Sequence, residues 1–298
     1  MTESRQPGSA ILRRALLLVG FIVVVALVWE ATKWLFGDPW RLEDVLGTGS
    51  SYYHQPPFHL LQANDSNLPH LWTIFGRLAQ PFSRNADMSL AGYLVQAALQ
   101  TFAEAAIGFL LGATIGIVLA SVFVHSRLAE RTLLPWVIAS QALPIVAISP
   151  ILVVAFSKSL VSVVIVATYL TFFPVTIAMA RGLRSPDPRM LELMRSYAAS
   201  TWDAYWKVRL PASVPYLFVG LKVAATASII GAIIGEGPGG IQGGLGRAII
   251  VYYQQYTSGP ERLWATILAS ALLGIFFYSL VRFLEMGVTR GRWQEQAS

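Results

Sequence analysis

Apolar residues gather in six runs, near 13–36, 96–123, 133–157, 160–180, 214–236 and 263–284. A helix that crosses a bilayer needs roughly 20 predominantly apolar residues, so the pattern predicts six membrane-spanning helices. Pro144, Pro150 and Pro174 fall inside the third and fourth runs. A proline there removes a backbone donor and is placed to kink or break the span. Three polar stretches separate the runs. Residues 37–95 ("GDPWRLED", "YYHQPPFHLL", "NDSNLPHLW") are turn-rich and predict an excursion outside the bilayer with some short helix. The second stretch covers 181–213. In the third, 235–264, glycines deny a regular helix through 235–246, and "RAIIVYYQQY" then predicts a short amphipathic one.

Composition supports a bilayer as the solvent. The 298 residues are 55% hydrophobic and 13% charged, against about 25% charged in a soluble domain. The 24 Gly and 16 Pro agree, both being commoner in membrane helices. With no cysteine, disulfides, thiolate metal sites and a Cys nucleophile are excluded. The net charge of +6 is read as a loop bias rather than a nucleic-acid footprint. Arg5, Arg13 and Arg14 precede the first run and Arg290 and Arg292 follow the last. Arg181, Arg184, Arg189, Arg195, Lys207 and Arg209 outnumber the acids of 181–213, whereas acids outnumber bases in 37–95. With six spans, both termini and 181–213 share one side, and the Lys/Arg excess makes it cytoplasmic. The first run lacks a small-x-small cleavage site after its apolar core, which favours an uncleaved anchor over a signal peptide.

Catalytic and metal signatures are sparse. No Gly-x4-Gly-Lys phosphate loop, His-Glu-x-x-His or Gly-x-Ser-x-Gly occurs. His54, His59 and His70 match no standard metal spacing. Asn64-Asp65-Ser66 is a formal glycosylation sequon.

The stretch 192–211, "ELMRSYAASTWDAYWKVRLP", carries the strongest local signals. Asp187-Pro188 supplies an N-cap followed by Pro at the first helical position. Met190, Met194, Tyr197, Thr201, Tyr205 and Val208 then recur at helical spacing and define one face. Ala198-Ala199-Ser200 interrupts the helix, Ser200 and Asp203 can restart it as a capping box, and Pro211 is expected to end it. Pro215 is placed to begin the next span. The result is two short helices at an angle. Their face serves either the membrane surface, with Trp202, Tyr205 and Trp206 as interfacial anchors, or a partner protein.

These residues resemble the last large cytoplasmic loop of permease subunits of binding-protein-dependent ABC importers. That family's pattern is Glu-Ala-Ala, three residues, Gly, nine residues, Ile-x-Leu-Pro. Glu192 opens it, Val208 takes the Ile position, and Leu210-Pro211 close it at the family spacing. Leu193 and Met194 replace the alanines and Ala198 replaces the glycine. A glycine would permit a left-handed turn; alanine there costs about 1 kcal/mol or more, so a bend that is wider, or displaced to Ala199-Ser200, is expected. The resemblance extends from near Gln100 to Arg282. "TFAEAAIGFLLGATIGIVLA" and "SQALPIVAISPILVVAF" look like the nitrate, sulfonate and taurine branch. Glu104 and "SQALP" look closest to members that import pyrimidine precursors, riboflavin or related heterocycles.

The resemblance implies an all-α integral membrane protein with the type I ABC importer permease fold and a cytoplasmic coupling helix. It implies an N-terminal anchor and external segment (1–95), a permease core (96–284) and a cytoplasmic tail (285–298). The chain would be half of a translocation pathway in a bacterial inner membrane, without catalytic residues, metal or cofactor of its own. A second permease subunit, identical or related, two cytosolic ATPases that bind ATP and Mg, and an external binding protein would complete the complex. Docking to the ATPase would fall on Glu192, Arg195, Tyr197, Ala198, Ser200, Trp202, Leu210 and Pro211. A docked helix transmits motion because packed elements shift as bodies.

Other residues carry two readings. Gly108, Gly112, Gly116 and Ala120 form a small-residue stripe for close helix packing. Glu104, an intramembrane carboxylate, calls for a structural partner or a functional role. Lys222 is expected to snorkel. Gln141, Ser149, Thr168, Tyr169, Thr226 and Ser228 suit a pore lining or interhelical hydrogen bonds, and Tyr169, Phe172 and Phe173 suit stacking on a planar solute or plain packing. The stretch 235–264 would be an outer gate, a binding-protein contact or a connection. The competing functions are a stand-alone secondary transporter or channel, expected to show inverted repeats and paired intramembrane charges, and an intramembrane enzyme.

Overall fold

The structure is a computed structural model that describes residues 7–42, 52–58, 60, 63–83, 87–156, 159–237 and 243–295. Helix α1 (Pro7–Phe36) leads to strands β1 (Trp40–Leu42) and β2 (Tyr52–His54), then α2 (Leu71–Leu78), α3 (Leu90–His125), α4 (Arg127–Ser140) and α5 (Ile145–Ala155). There follow α6 (Leu160–Leu183), α7 (Pro188–Ser196), α8 (Thr201–Ala204), a π-helical turn (Tyr205–Arg209) and α9 (Leu210–Glu236). Helix α10 (Leu245–Gln254), a 3₁₀ turn (Tyr256–Ser258) and α11 (Pro260–Glu295) complete the chain. Among the described residues, α1, α3, α6, the continuous helix from Thr201 to Glu236, and α11 are long and apolar enough to cross a membrane. A sixth crossing arises if α4 and α5 count as one. The chain is an all-α membrane protein, with one small ladder and one isolated bridge among the described residues.

The third expected span is not straight. Helices α4 and α5 meet at 93° across Gln141–Pro144. Pro144 stands outside the ladder, extended at ψ 99, as the N-cap of α5. Pro150 and Pro174 remain inside α5 and α6.

The chain forms two compact units. The first comprises 1–90 with 252–265. Most of α1 exposes apolar side chains such as Leu17, Phe21 and Val28, as a lipid-facing helix does. Its last turns differ. The Trp29 indole donates to the Pro69 carbonyl at 3.0 Å and meets Trp264 edge-on. Glu30 accepts from the Leu71 amide at 2.6 Å and pairs with His70 Nδ1 at 2.9 Å. It thereby satisfies an orphan amide at the start of α2, whose own N-cap residue, His70, makes no side-chain cap. Lys33 is fully buried, donating to the Ala63 carbonyl at 3.0 Å and paired with Asp65 at 2.5 Å. Strands β1 and β2 pair antiparallel with Trp40 opposite His54. The ladder adds a short sheet to the turns and short helix expected over 37–95. His54 Nε2 meets the Trp34 carbonyl at 2.8 Å, and the rings of His54 and His70 both pack on Trp40. Asn64 of the sequon accepts from the Asn67 amide at 2.8 Å and closes its own turn. His59, Glu43, Asp44, Arg84 and residues 238–242 lie outside the described residues, as do the side chains of Arg13, Arg14, Arg290 and Arg292.

The second unit comprises 91–251 with 266–298. Helix α6 lies against both α3 and α9, and glycine stripes make both contacts close. A Cβ on Gly112 would stand 2.6 Å from Thr171 Cβ, and one on Gly116 2.8 Å from Val175 Cβ; Gly108 faces Ala167 in the same way. From α9, Gly220, Gly231 and Gly235 approach Ala178, Ala167 and Val163. Backbones this near gain van der Waals packing that larger side chains would prevent. Phe102 and Phe109 meet Phe277 edge-to-face and join α3 to α11. Lys222, expected to snorkel, has an ion-pair partner within this unit. It pairs with Glu285 at 2.7 Å, the two side chains 18% and 22% exposed, and joins α9 to α11. Removing either partner would leave the other charge largely buried and uncompensated.

Candidate docking site

The segment from Asp187 to Pro211 is built by local capping. The Asp187 carboxylate accepts from the Arg189 amide at 2.9 Å and starts α7, with Pro188 at the first helical position. The helix ends in a Schellman motif. The Ala199 amide donates to the Met194 carbonyl at 3.0 Å and the Ala198 amide to the Arg195 carbonyl at 2.9 Å. Ala198 takes φ +52, the left-handed residue that this motif requires. The bend is therefore neither wider nor displaced: it sits at Ala198 itself. Two satisfied carbonyls at the helix end hold the alanine there against its own preference.

Ser200 then caps α8. Its Oγ accepts from the Asp203 amide at 3.1 Å, and Asp203 Oδ2 accepts from the Ser200 amide at 3.3 Å, a complete capping box. Lys207 Nζ bonds Asp203 Oδ1 at 2.7 Å one turn on. Pro211 does not end the helix. The π turn over Tyr205–Arg209 sends the Leu210 amide back to the Tyr205 carbonyl, and the helix continues into α9. One extra residue in the turn accommodates a proline that lacks the donor for a regular ladder. Nor does Pro215 begin the span, since it lies inside α9. The expected second short helix is thus the first turns of a long membrane helix.

The single expected face is divided. Tyr205 turns inward, 6% exposed, against Ala120, Met179 and Leu183. Its hydroxyl lies 2.7 Å from Ser121 Oγ, and its ring lies beside His125. Leu210 packs on the same cluster. Arg209 donates to the Leu183 carbonyl at 3.0 Å, and Arg184 pairs with Glu130 at 2.7 Å. Met190, Leu193, Tyr197, Trp202 and Trp206 point outward, Tyr197 79% and Trp202 60% exposed. Glu192 and Arg195 are exposed beside them. Sequence periodicity could not single out Tyr205, because the bend at Ala198 rotates α8 relative to α7. Between the two helices, Leu191, Met194, Arg195, Ala199, Thr201 and His125 are among the residues that line a cavity of about 210 Å³.

The polar candidates in the spans are mostly engaged. Ser149 is buried and donates to the Ile234 carbonyl at 2.9 Å, tying α5 to α9. Buried Ser228 bonds the Ala225 carbonyl, and Thr226 the Val223 carbonyl, each within α9. The Tyr169 hydroxyl donates to the Ser140 carbonyl and brings Tyr169 to the α4–α5 break where Gln141 sits. Tyr169 and Phe172 meet edge-on.

A bilayer-spanning bundle that presents a capped, aromatic-faced elbow agrees with the comparison to known proteins. A family model described as "Binding-protein-dependent transport system inner membrane component" matches residues 112–290. The chain belongs to this family. It is 33% identical over 185 residues to the formylaminopyrimidine transport permease protein of Halalkalibacterium halodurans, covering 62% of this chain and 73% of that protein. It is 30% identical over 223 residues to the riboflavin transport system permease protein of Chloroflexus aurantiacus, covering 75% and 80%. With the putative aliphatic sulfonates transport permease protein of Bacillus subtilis it shares 28% over 206 residues, covering 69% and 74%. The chain is accordingly a multi-pass ABC importer permease of the binding-protein-dependent type.

Proposed function

We propose that this permease forms half of the translocation pathway of an ATP-driven importer in a bacterial inner membrane. The exposed aromatic face of α7 and α8 docks a cytosolic ATPase there. What carries the proposal is the contrast within one segment: Tyr205 and Arg209 fasten it to the bundle, while Met190, Leu193, Tyr197, Trp202 and Trp206 lie bare. An apolar patch beside Glu192 and Arg195 has the make-up of an interface core with a polar rim. Two ATPases bind ATP and Mg and hydrolyse the nucleotide, and this chain performs no chemistry. A second permease subunit and an external binding protein complete the complex, with both termini and the docking elbow in the cytoplasm. Movement of the ATPases shifts α7, α8 and, through the continuous helix, α9 as one body.

The solute class that suits the chain best is a pyrimidine- or riboflavin-like heterocycle, supported by two relatives at 30% identity or above whose names state formylaminopyrimidine and riboflavin transport. The nitrate and sulfonate relatives, at 28%, stand behind it. Co-purification of the chain with an ATPase from its own cells tests the docking: Tyr197→Glu with Trp202→Glu should abolish it, and undiminished association would refute the assignment. Uptake of labelled pyrimidine, riboflavin, sulfonate and nitrate in cells with and without the permease tests the solute. Loss of sulfonate or nitrate uptake alone would overturn the heterocycle reading.

A further inference from the structure

Two carboxyl groups lie buried together in the second unit, away from the docking elbow. Glu236 ends α9 and is 0% exposed; Glu104 on α3 is 2% exposed. Each has one engaged oxygen. Glu236 Oε2 accepts from the Gly246 amide at 2.6 Å, and Glu104 Oε1 accepts from Gln100 Nε2 at 3.2 Å. Glu236 Oε1 and Glu104 Oε2 are buried without a hydrogen-bond partner, the Thr101 hydroxyl of α3 stands beside the Glu236 carboxyl, and the Glu104 and Glu236 side chains interact directly. Among the described residues, neither carboxyl has a Lys or Arg at ion-pair distance. Two ionised carboxylates in this position would repel, and each would keep a bare buried acceptor. One proton removes both faults, because the acid O–H donates to the other group's free oxygen.

We propose that Glu104 and Glu236 form a proton-binding site, a carboxylic acid–carboxylate pair whose single proton latches the start of α10 onto α3. The local chain is shaped around this pair. Gly243 and Gly244 stand at φ +87 and +77, and a Cβ on Gly244 would collide with the Glu236 carboxyl. The following amides are then satisfied from outside α10, Leu245 N–H by Thr101 Oγ1 at 2.8 Å and Gly246 N–H by Glu236. These are donors that a helix N-terminus cannot satisfy internally. Glu104 is fixed in the middle of a long helix, whereas Glu236 ends one. Loss of the proton therefore separates the pair by moving Glu236 and the first turn of α10. Other titratable groups nearby are few. Tyr93 on α3 is in electrostatic range of Glu236 and of Arg247 on α10. Val163 of α6 packs on Gly235, and Ser149 of α5 bonds the Ile234 carbonyl, neither carrying charge.

The test uses the full chain in lipid nanodiscs. Infrared spectra at neutral pH should show a protonated-carboxyl C=O band in the wild type that both Glu104→Gln and Glu236→Gln remove. Hydrogen exchange at the Leu245 and Gly246 amides, corrected for intrinsic rate, should lose about tenfold in protection as rising pH strips the proton, the scale set by a buried unsatisfied acceptor. In Glu104→Gln the amide donates permanently, so protection should persist and become flat with pH. Glu104→Ala, with no donor, should be poorly protected at every pH. The proposal is overturned by absence of the band, by unchanged pH dependence in Glu104→Gln, or by protection that follows sodium concentration instead of pH. Because exchange at Leu245 and Gly246 is read site by site in the wild type, protection there that does not change with pH overturns the idea even where a variant misfolds.

Discussion

Ala198 offers a sharp quantitative check. Among the described residues it alone, apart from glycines, has positive φ. A left-handed conformation costs an L-residue roughly 1–2 kcal/mol. Glycine avoids this cost but gives up about 0.5–1 kcal/mol through its greater freedom in the unfolded chain. Ala198→Gly should therefore stabilise the bend by about 0.5–1 kcal/mol, a two- to fivefold shift in local opening on the order expected from RT. Nothing offsets the gain, because the Ala198 side chain is exposed and removing its methyl breaks no packing. The readout is exchange of the Ala199 amide, whose bond to the Met194 carbonyl closes the motif. Protection should rise two- to fivefold in Ala198→Gly. Ala199→Gly, at a residue without positive φ, should change it in the opposite direction by a similar factor. Equal or reduced protection in Ala198→Gly would refute the reasoning, and with it the claim that two hydrogen bonds hold a strained alanine.

Three further outcomes follow from the packing. Tyr205→Phe should cost about 0.5–1.5 kcal/mol, the net worth of one hydrogen bond, and Tyr205→Ala about 3–5 kcal/mol. Both are read as loss of thermal stability in detergent, and an unaffected Tyr205→Ala would remove the anchor. Lys222→Met should destabilise by about 3 kcal/mol through the uncompensated Glu285 carboxylate, whereas the double change to Met at both positions should recover most of it; additive losses in the cycle would deny the ion pair. Gly112→Ala should cost about 1–3 kcal/mol by forcing α3 from α6, while Gly274→Ala, with nothing within 4 Å of the new methyl, should be neutral or stabilising. Equal yields of the two variants in membranes would contradict the close approach.

Much of the architecture was legible in short-range pattern. Asp187-Pro188, the Ser200–Asp203 box and the small-residue stripe each act on neighbours within one or two turns, or on any helix that comes near. Their signals therefore survive without knowledge of the fold. The glycines of α9 were not recognised as a second stripe, because their irregular spacing acquires meaning only against Ala167 and Val163 of α6. At the elbow, periodicity gave Tyr205 the same face as Tyr197, and only the geometry separated an inward anchor from an outward contact.

Composition and hydrophobic runs determined by themselves that the chain lives in a bilayer and roughly where it crosses, and local capping residues determined where α7 and α8 begin. Tertiary structure decided the rest. It showed that Pro211 continues a helix through a π turn and that Ala198 bears the bend. It also showed that Lys222 meets Glu285, and that Glu104 meets Glu236. The division has a physical cause. Burial in lipid and helix capping are set by residues within a few positions, while the partner of a buried charge depends on which distant helix packing brings within 3 Å or so of it.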